Sequence, residues 1–152
     1  MQQVVSPPSE DDIEQLRKQL AFIELRIGLI VKDAAFKGGL EDLDLLQQAL
    51  DSGQIAATDT IDLQSLGVPF AQLFIDHNPG YSWWMVEDEF GRAACLRYRE
   101  TDLLLHPITL ISKRVEEGNA VNVRQLFASL SQQLSEITQK LDSQHSATIP
   151  QK

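Results

Sequence analysis

The chain has 152 residues, 43% of them hydrophobic and 23% charged, which is one ordinary domain with enough apolar surface for a single core and not the composition of a disordered chain. A formal net charge of −9 and a pI near 4.7 exclude a nucleic-acid binder that gains affinity by neutralising phosphates. The one cysteine, Cys95, excludes an internal disulfide.

The acidity is uneven. Residues 1–62 hold twelve acids and five bases, whereas residues 92–114 hold five bases against two acids, so a locally basic region sits on an acidic protein. The opening MQQVVSPPSE lacks the basic start and apolar core of a signal peptide. Charges also interrupt every apolar run before it reaches the length of a membrane span. The expectation is a cytoplasmic protein with neither nucleic acid nor membrane as partner.

In chain order, residues 1–8 end in Pro7-Pro8 and read as a flexible arm. Ser9 and Asp12 make a capping arrangement with acids in the first turn, where the helix dipole favours them. Ile13, Leu16, Leu20, Ile23, Ile27, Ile30 and Ala34 follow at three- and four-residue spacing up to Gly38-Gly39. The spacing predicts a helix over 9–37, about 28 residues and roughly 40 Å long. Phe22, Leu29 and Val31 widen its apolar face, which suits an intramolecular core better than a seam between subunits. A second helix is expected over 40–52 and a third over 59–77, with Thr58 or Asp59 as its cap,. Pro69 interrupts the third, and a kink or a break near Gly67 is expected because proline removes a hydrogen bond and pushes on the preceding turn. Asn78-Pro79-Gly80 then turns the chain.

YSWWMVED, from Tyr81, is an aromatic and β-branched run, and Asp88-Glu89-Phe90-Gly91 has the residues of a tight hairpin turn,. Strands are expected over 82–88, 93–99 and 102–105. The hairpin is the segment around which the helices should pack, since so small a sheet is not stable alone. Trp83 and Trp84 point to opposite faces, so one of the two is expected to be fully buried. Arg97 and Arg99, on one strand face, are read first as a ladder of ion pairs with Glu87 and Asp88. Cys95, inside a strand with no adjacent histidine, reads as a small buried hydrophobe. Pro107 suits the start of a helix over 107–117, and Asn122 with Gln125 caps a last helix over 122–142,. Residues 143–152 read as a disordered tail.

Chemistry-bearing patterns are absent from the sequence. Neither GxGxxG nor GxxxxGK[ST] occurs,. His77, His106 and His145 are scattered without metal-ligand spacing, and no marked nucleophile stands out. Glu87, Asp88 and Glu89 are a dense carboxylate group, but consecutive strand residues alternate faces and cannot converge on one ion. No catalytic residue, metal or cofactor is assigned.

The segment WWMVEDEFGRAACLRYRETDLLLHPITLISKRVEEGNAVNVRQLF, with LQSLGVPFAQLF before it, resembles a bacterial family called domain of unknown function 3806. The order of motifs carries the resemblance. A tryptophan-bearing strand leads to an acidic turn with glycine (Asp88, Gly91), a basic strand (Arg97), a proline-led helix (Pro107, Ser112, Lys113, Arg114) and a helix start V-x-V-R-x-L-F (Val121, Val123, Arg124, Leu126, Phe127). It covers roughly residues 60–130, and Pro69 and Cys95 depart from it. The resemblance implies a bacterial, soluble α+β domain and brings no activity with it.

The fold expected is α+β, a small antiparallel three-stranded sheet packed against long helices, in one domain over 9–142. Two functional readings follow. The first is a non-catalytic protein-binding protein of adaptor, chaperone or immunity type, monomeric or homodimeric through the long N-terminal helix. Its contact residues would be drawn from Trp83, Trp84, Arg97, Arg99, Lys113 and Arg114. The second is a small-molecule or anion-binding domain, catalytic or not, with a basic pocket between sheet and helices. Convergence of the four basic residues in a deep pocket favours the second, and outward scatter favours the first.

Overall fold

The apolar stripe of the first helix divides into two rows once the chain is folded. The computed structural model describes residues 2–148. Helix α1 (Glu10–Ile30) opens on the expected capping box, with Ser9 Oγ accepting from the Asp12 N–H at 3.1 Å and Asp12 Oδ2 accepting from the Ser9 N–H at 2.8 Å. Ile23 and Ile27 are fully buried, while Phe22, Leu25 and Leu29 stay exposed on the other side, the side that a helix-mediated pair of chains would need. The helix ends seven residues before its expected limit. Val31, Ala34 and Phe36 still pack against the core from the following turn, so the apolar period outlasts the helix. The carboxylate of buried Asp42 closes that turn by accepting from the N–H groups of Lys37 (3.0 Å) and Gly38 (2.9 Å). Helix α2 (Asp42–Asp51) follows.

Helix α3 (Thr60–His77) is the centre of the molecule. From Ser65 to Ala71 every residue is buried, and α3 touches α1, the sheet and the three helical segments that follow it. The hairpin is therefore a layer laid against α3 and not the element around which the rest is organised. Pro69 lies inside one continuous helix, so the expected break near Gly67 does not occur. Gly67 is required by packing: a Cβ there would lie 2.5 Å from the carbonyl oxygen of Pro107. At the start of α3, Asp59 occupies the cap position, but its carboxylate turns back to the Ala56 N–H at 2.8 Å.

The sheet is antiparallel with four strands in the order β1 (Val4–Ser6), β2 (Tyr81–Asp88), β3 (Gly91–Tyr98) and β4 (Leu104–Leu105). The added strand β1 comes from the stretch expected as a flexible arm and pairs Val5 with Val86. The turn between β2 and β3 falls where the sequence placed it, with Asp88 Oδ1 accepting from the Phe90 N–H at 2.8 Å and Gly91 at a φ of +129° that favours glycine,. Along the hairpin Tyr81 faces Tyr98, Trp83 faces Leu96 and Trp84 faces Cys95.

Tyr81, Leu96, Tyr98 and Leu105 lie on the inner face and join the core. There the Tyr81 ring meets Phe74 at 5.0 Å and Tyr98 at 5.2 Å between centroids. A short 3-10 turn (Pro107–Thr109) leads into α4 (Leu110–Glu116) and then α5 (Val123–Thr148). The expected cap of α5 is present, with Asn122 Oδ1 accepting from the Gln125 N–H at 3.0 Å. Helix α5 runs through the first part of the expected tail, to Thr148, and residues 149–152 lie outside the described residues. Among the described residues no helix is long and apolar enough to cross a membrane.

Candidate functional site

Alternation along β2 and β3 puts Ser82, Trp84, Val86, Ala93, Cys95 and Arg97 on the face opposite the helices,. Trp84, Val86 and Cys95 stand outside the main core. Val86 and Cys95 are nevertheless buried, and half-buried Val5 and Leu104 adjoin them on the neighbouring strands. This makes an apolar floor. Trp84 stands on it half-buried, its Nε1–H donated to Ser82 Oγ at 3.1 Å. Burial pushes the Cys95 thiol up to about 11 against the opposing pull of Arg97, so it packs as the small hydrophobe expected.

Arg97 covers Trp84, with its guanidinium carbon 4.4 Å from the ring centroid, a cation–π contact worth about 0.5–2 kcal/mol depending on desolvation. The turn after β3 holds it there. Arg99 takes a left-handed φ of 50°, and its N–H bonds the Gly80 carbonyl at 2.7 Å. The carbonyls of Thr101 and Glu100 then accept from Arg97 Nε at 2.7 Å and Nη2 at 3.0 Å. Among the described residues no carboxylate lies within ion-pair distance of Arg97, so its charge is anchored but not neutralised.

The expected ladder with Glu87 and Asp88 does not form. Register sets Arg97 opposite Ser82 and Asp88 opposite Gly91, six rungs and roughly 20 Å apart. It is Arg92 that faces Glu87, at 3.8 Å.

The six residues proposed from sequence separate into one pair and four strays. Trp84 and Arg97 are in contact. Trp83 sits on the inner face at the seam between α1 and α3, its Nε1–H donated to Gln72 at 3.3 Å, and it too is half-buried. Neither tryptophan is therefore fully buried, because position 83 lies at the margin of the helix layer and position 84 faces away from it. Arg99 leaves the strand at the turn, lies over the Tyr98 ring at 5.2 Å and stands 4.0 Å from Asp142. Arg114 donates to the Leu110 carbonyl of its own helix at 2.9 Å. Lys113 is exposed and borders a separate cleft.

That cleft, about 610 Å³, lies between α1, the inner face of the hairpin and the α4 region. Arg92 is fixed at its edge by the carboxylate of Asp12, with Nε 3.2 Å from Oδ1 and Nη2 on Oδ2. The guanidinium beside Asp12 holds that carboxyl well below the usual carboxylate range, and the Ser9 N–H adds to the effect. Sequence reasoning missed Arg92 and His106 as lining residues. Arg92 pairs with a carboxylate eighty positions away, and no local spacing signals that. Among the described residues no group of His, Cys, Asp or Glu is placed to hold a metal ion.

A four-stranded antiparallel sheet with helices on one face and an aromatic–arginine pair on the other defines the class, a small α+β domain with an outward-facing sheet. The chain belongs to the family described as Domain of unknown function (DUF3806), which matches residues 42–127. The match begins at the buried Asp42, earlier than the residue 60 expected, and ends at Phe127. The fold is also similar to that of a crystal structure from Bacteroides thetaiotaomicron VPI-5482 at 1.50 Å resolution, with a TM-score of 0.77 and 20% identity. The likeness covers 86% of this chain and 47% of that one, so this chain spans about half the length of that relative. No curated protein matches.

Proposed function

We infer that this domain is a non-catalytic binding protein that holds an acidic protein partner on the outer face of its sheet, with Trp84 as anchor and Arg97 as the charge that selects. The observation that carries the reading is the Trp84–Arg97 stack on a sheet face outside the core. A half-buried tryptophan beside an arginine is the composition enriched where binding energy concentrates. The surrounding chain is at −9 and would repel an acidic partner elsewhere, so charge favours this docking site. The scatter of Arg99, Lys113 and Arg114 also supports a surface over one deep basic pocket. An adaptor, chaperone or immunity role in the cytoplasm belongs to the same reading.

The test is a photo-crosslinking residue at exposed Ser82 in the native host, in wild type and in Trp84→Ala and Arg97→Gln backgrounds whose unfolding midpoints are measured alongside. The expected result is an adduct with an acidic protein that weakens with salt and is lost in both folded variants. Adducts of equal yield in all three would place the binding surface elsewhere, and a small molecule turned over by the protein would replace this reading with an enzymatic one.

A further inference from the structure

We propose that the cleft between α1, the hairpin and α4 is a second, independent site, which takes a small organic anion with an apolar body. Its volume of about 610 Å³ falls in the range of small-molecule sites, and its lining joins an apolar wall to polar and charged side chains,. Met85, Ile108 and Leu16 supply the apolar part, and Met85 is itself buried.

The charge is positive on balance. Arg92 and Lys113 line the cleft with Asp12 as its one acid, and His106 adds a further donor. Asp12 is committed to Arg92, and their mutual fork holds the guanidinium in place before any ligand arrives. Lys113 is different. Glu117 lies one helical turn beyond it, but no carboxylate among the described residues comes within ion-pair distance of its ammonium. On a chain at −9, a concave surface bordered by a cation without a counter-ion favours an anion, because the positive charge is not compensated locally and the apolar wall adds burial.

The shared ligand chemistry is one anionic group, carboxylate or phosphate ester, on an apolar body. Ala93 at the rim is the one lining residue shared with the outer sheet face, and neither Trp84 nor Arg97 borders the cleft, so this site stands or falls separately from the partner-binding reading.

The chain has two methionines, so a protein labelled with ¹³C in its methionine methyls carries a reporter inside the cleft at Met85, assigned by comparison with Met85→Leu. Octanoate, phenyl phosphate and the neutral octanamide are titrated into the full chain. The expected result is a saturable shift of the Met85 methyl with at least one anion, about tenfold weaker for octanamide and about tenfold weaker for the anion in Lys113→Gln. Trp84→Ala should leave the titration unchanged. The ratio of the two anions tells whether the site prefers carboxylate or phosphate. Lys113 is exposed, so its substitution does not threaten the fold. No saturable shift with either anion, an equal response to octanamide, or undiminished anion binding by Lys113→Gln would overturn the proposal.

Discussion

Asp12 makes three interactions at once, two with Ser9 and one with Arg92. It accepts from the Ser9 N–H, its own N–H is capped by Ser9 Oγ, and its carboxylate grips Arg92 across eighty residues of chain. The first two are local and were legible as a capping arrangement, whereas the third joins α1 to the hairpin and was not. Because the folded state depresses the Asp12 pKa, the stability it contributes is fully present above the unfolded value of about 4 and is lost as pH falls through the folded value. Asp12→Asn should therefore melt below wild type at pH 6. The gap should begin to narrow near pH 4 and go on narrowing in stronger acid, as thermal unfolding followed by circular dichroism across pH 6 to 2 would show. A gap that stayed constant with pH would mean that the pairing with Arg92 does not hold in solution.

At the scale of elements, two glycines in helices make opposite demands. Helix propensity alone favours alanine over glycine by about 1 kcal/mol at an interior position. In α1, a Cβ on Gly28 meets nothing within 4 Å, so Gly28→Ala should stabilise by about 0.5–1 kcal/mol. In α3, a Cβ on Gly67 would be 2.5 Å from the Pro107 oxygen and 2.8 Å from the Ile108 Cα. Both are backbone atoms that cannot swing aside, so Gly67→Ala should destabilise by about 1–3 kcal/mol as α3 is forced off the Pro107 turn. Urea unfolding of the two variants tests both signs, and a gain at Gly67 would show that the two backbones are not in contact. A similar close fit joins α2 to α5, where the Gln47 side chain accepts from the Val123 N–H at 2.7 Å and donates to the Val121 carbonyl at 3.0 Å.

For the molecule as a whole, the family match at 42–127 takes in only part of the core. Ile23 and Ile27 of α1 and Leu134 of α5 belong to the same core cluster as Leu66, Phe70 and Phe74 of α3, so removing both outer helices would strip α3 of apolar cover on two sides. Each fully buried isoleucine is worth about 1.5–3 kcal/mol, against a total stability of only about 5–15 kcal/mol for a domain. A fragment of residues 42–127 should retain helical circular dichroism but unfold without a cooperative transition, while residues 2–148 unfold in one step. A sharp transition in the fragment would show that α1 and α5 are appendages.

The sequence by itself determined what is written in short spacings. The apolar periods of α1, α3 and α5, the caps at Ser9 and Asn122, the hairpin turn at Asp88 to Gly91 and the α+β class all depend on residues a few positions apart, whose preferences act before the chain closes on itself. Trp84 and Arg97 were legible as candidates but not as a pair, because their contact depends on the strand register and on the turn at Arg99. Only the tertiary structure decided the rest. Val4–Ser6 is too short to show a strand period and becomes a strand because the edge of β2 offers it hydrogen bonds. Helix α1 stops at Ile30 although its apolar period continues, because Val31, Ala34 and Phe36 are held by the core and not by helical spacing. Arg92 finds Asp12 and Arg124 finds Asp44, each across eighty residues, and α3 rather than the hairpin becomes the centre. Which of many chemically equivalent partners a side chain meets is settled by how the layers close around α3, and that closure is a property of the whole chain.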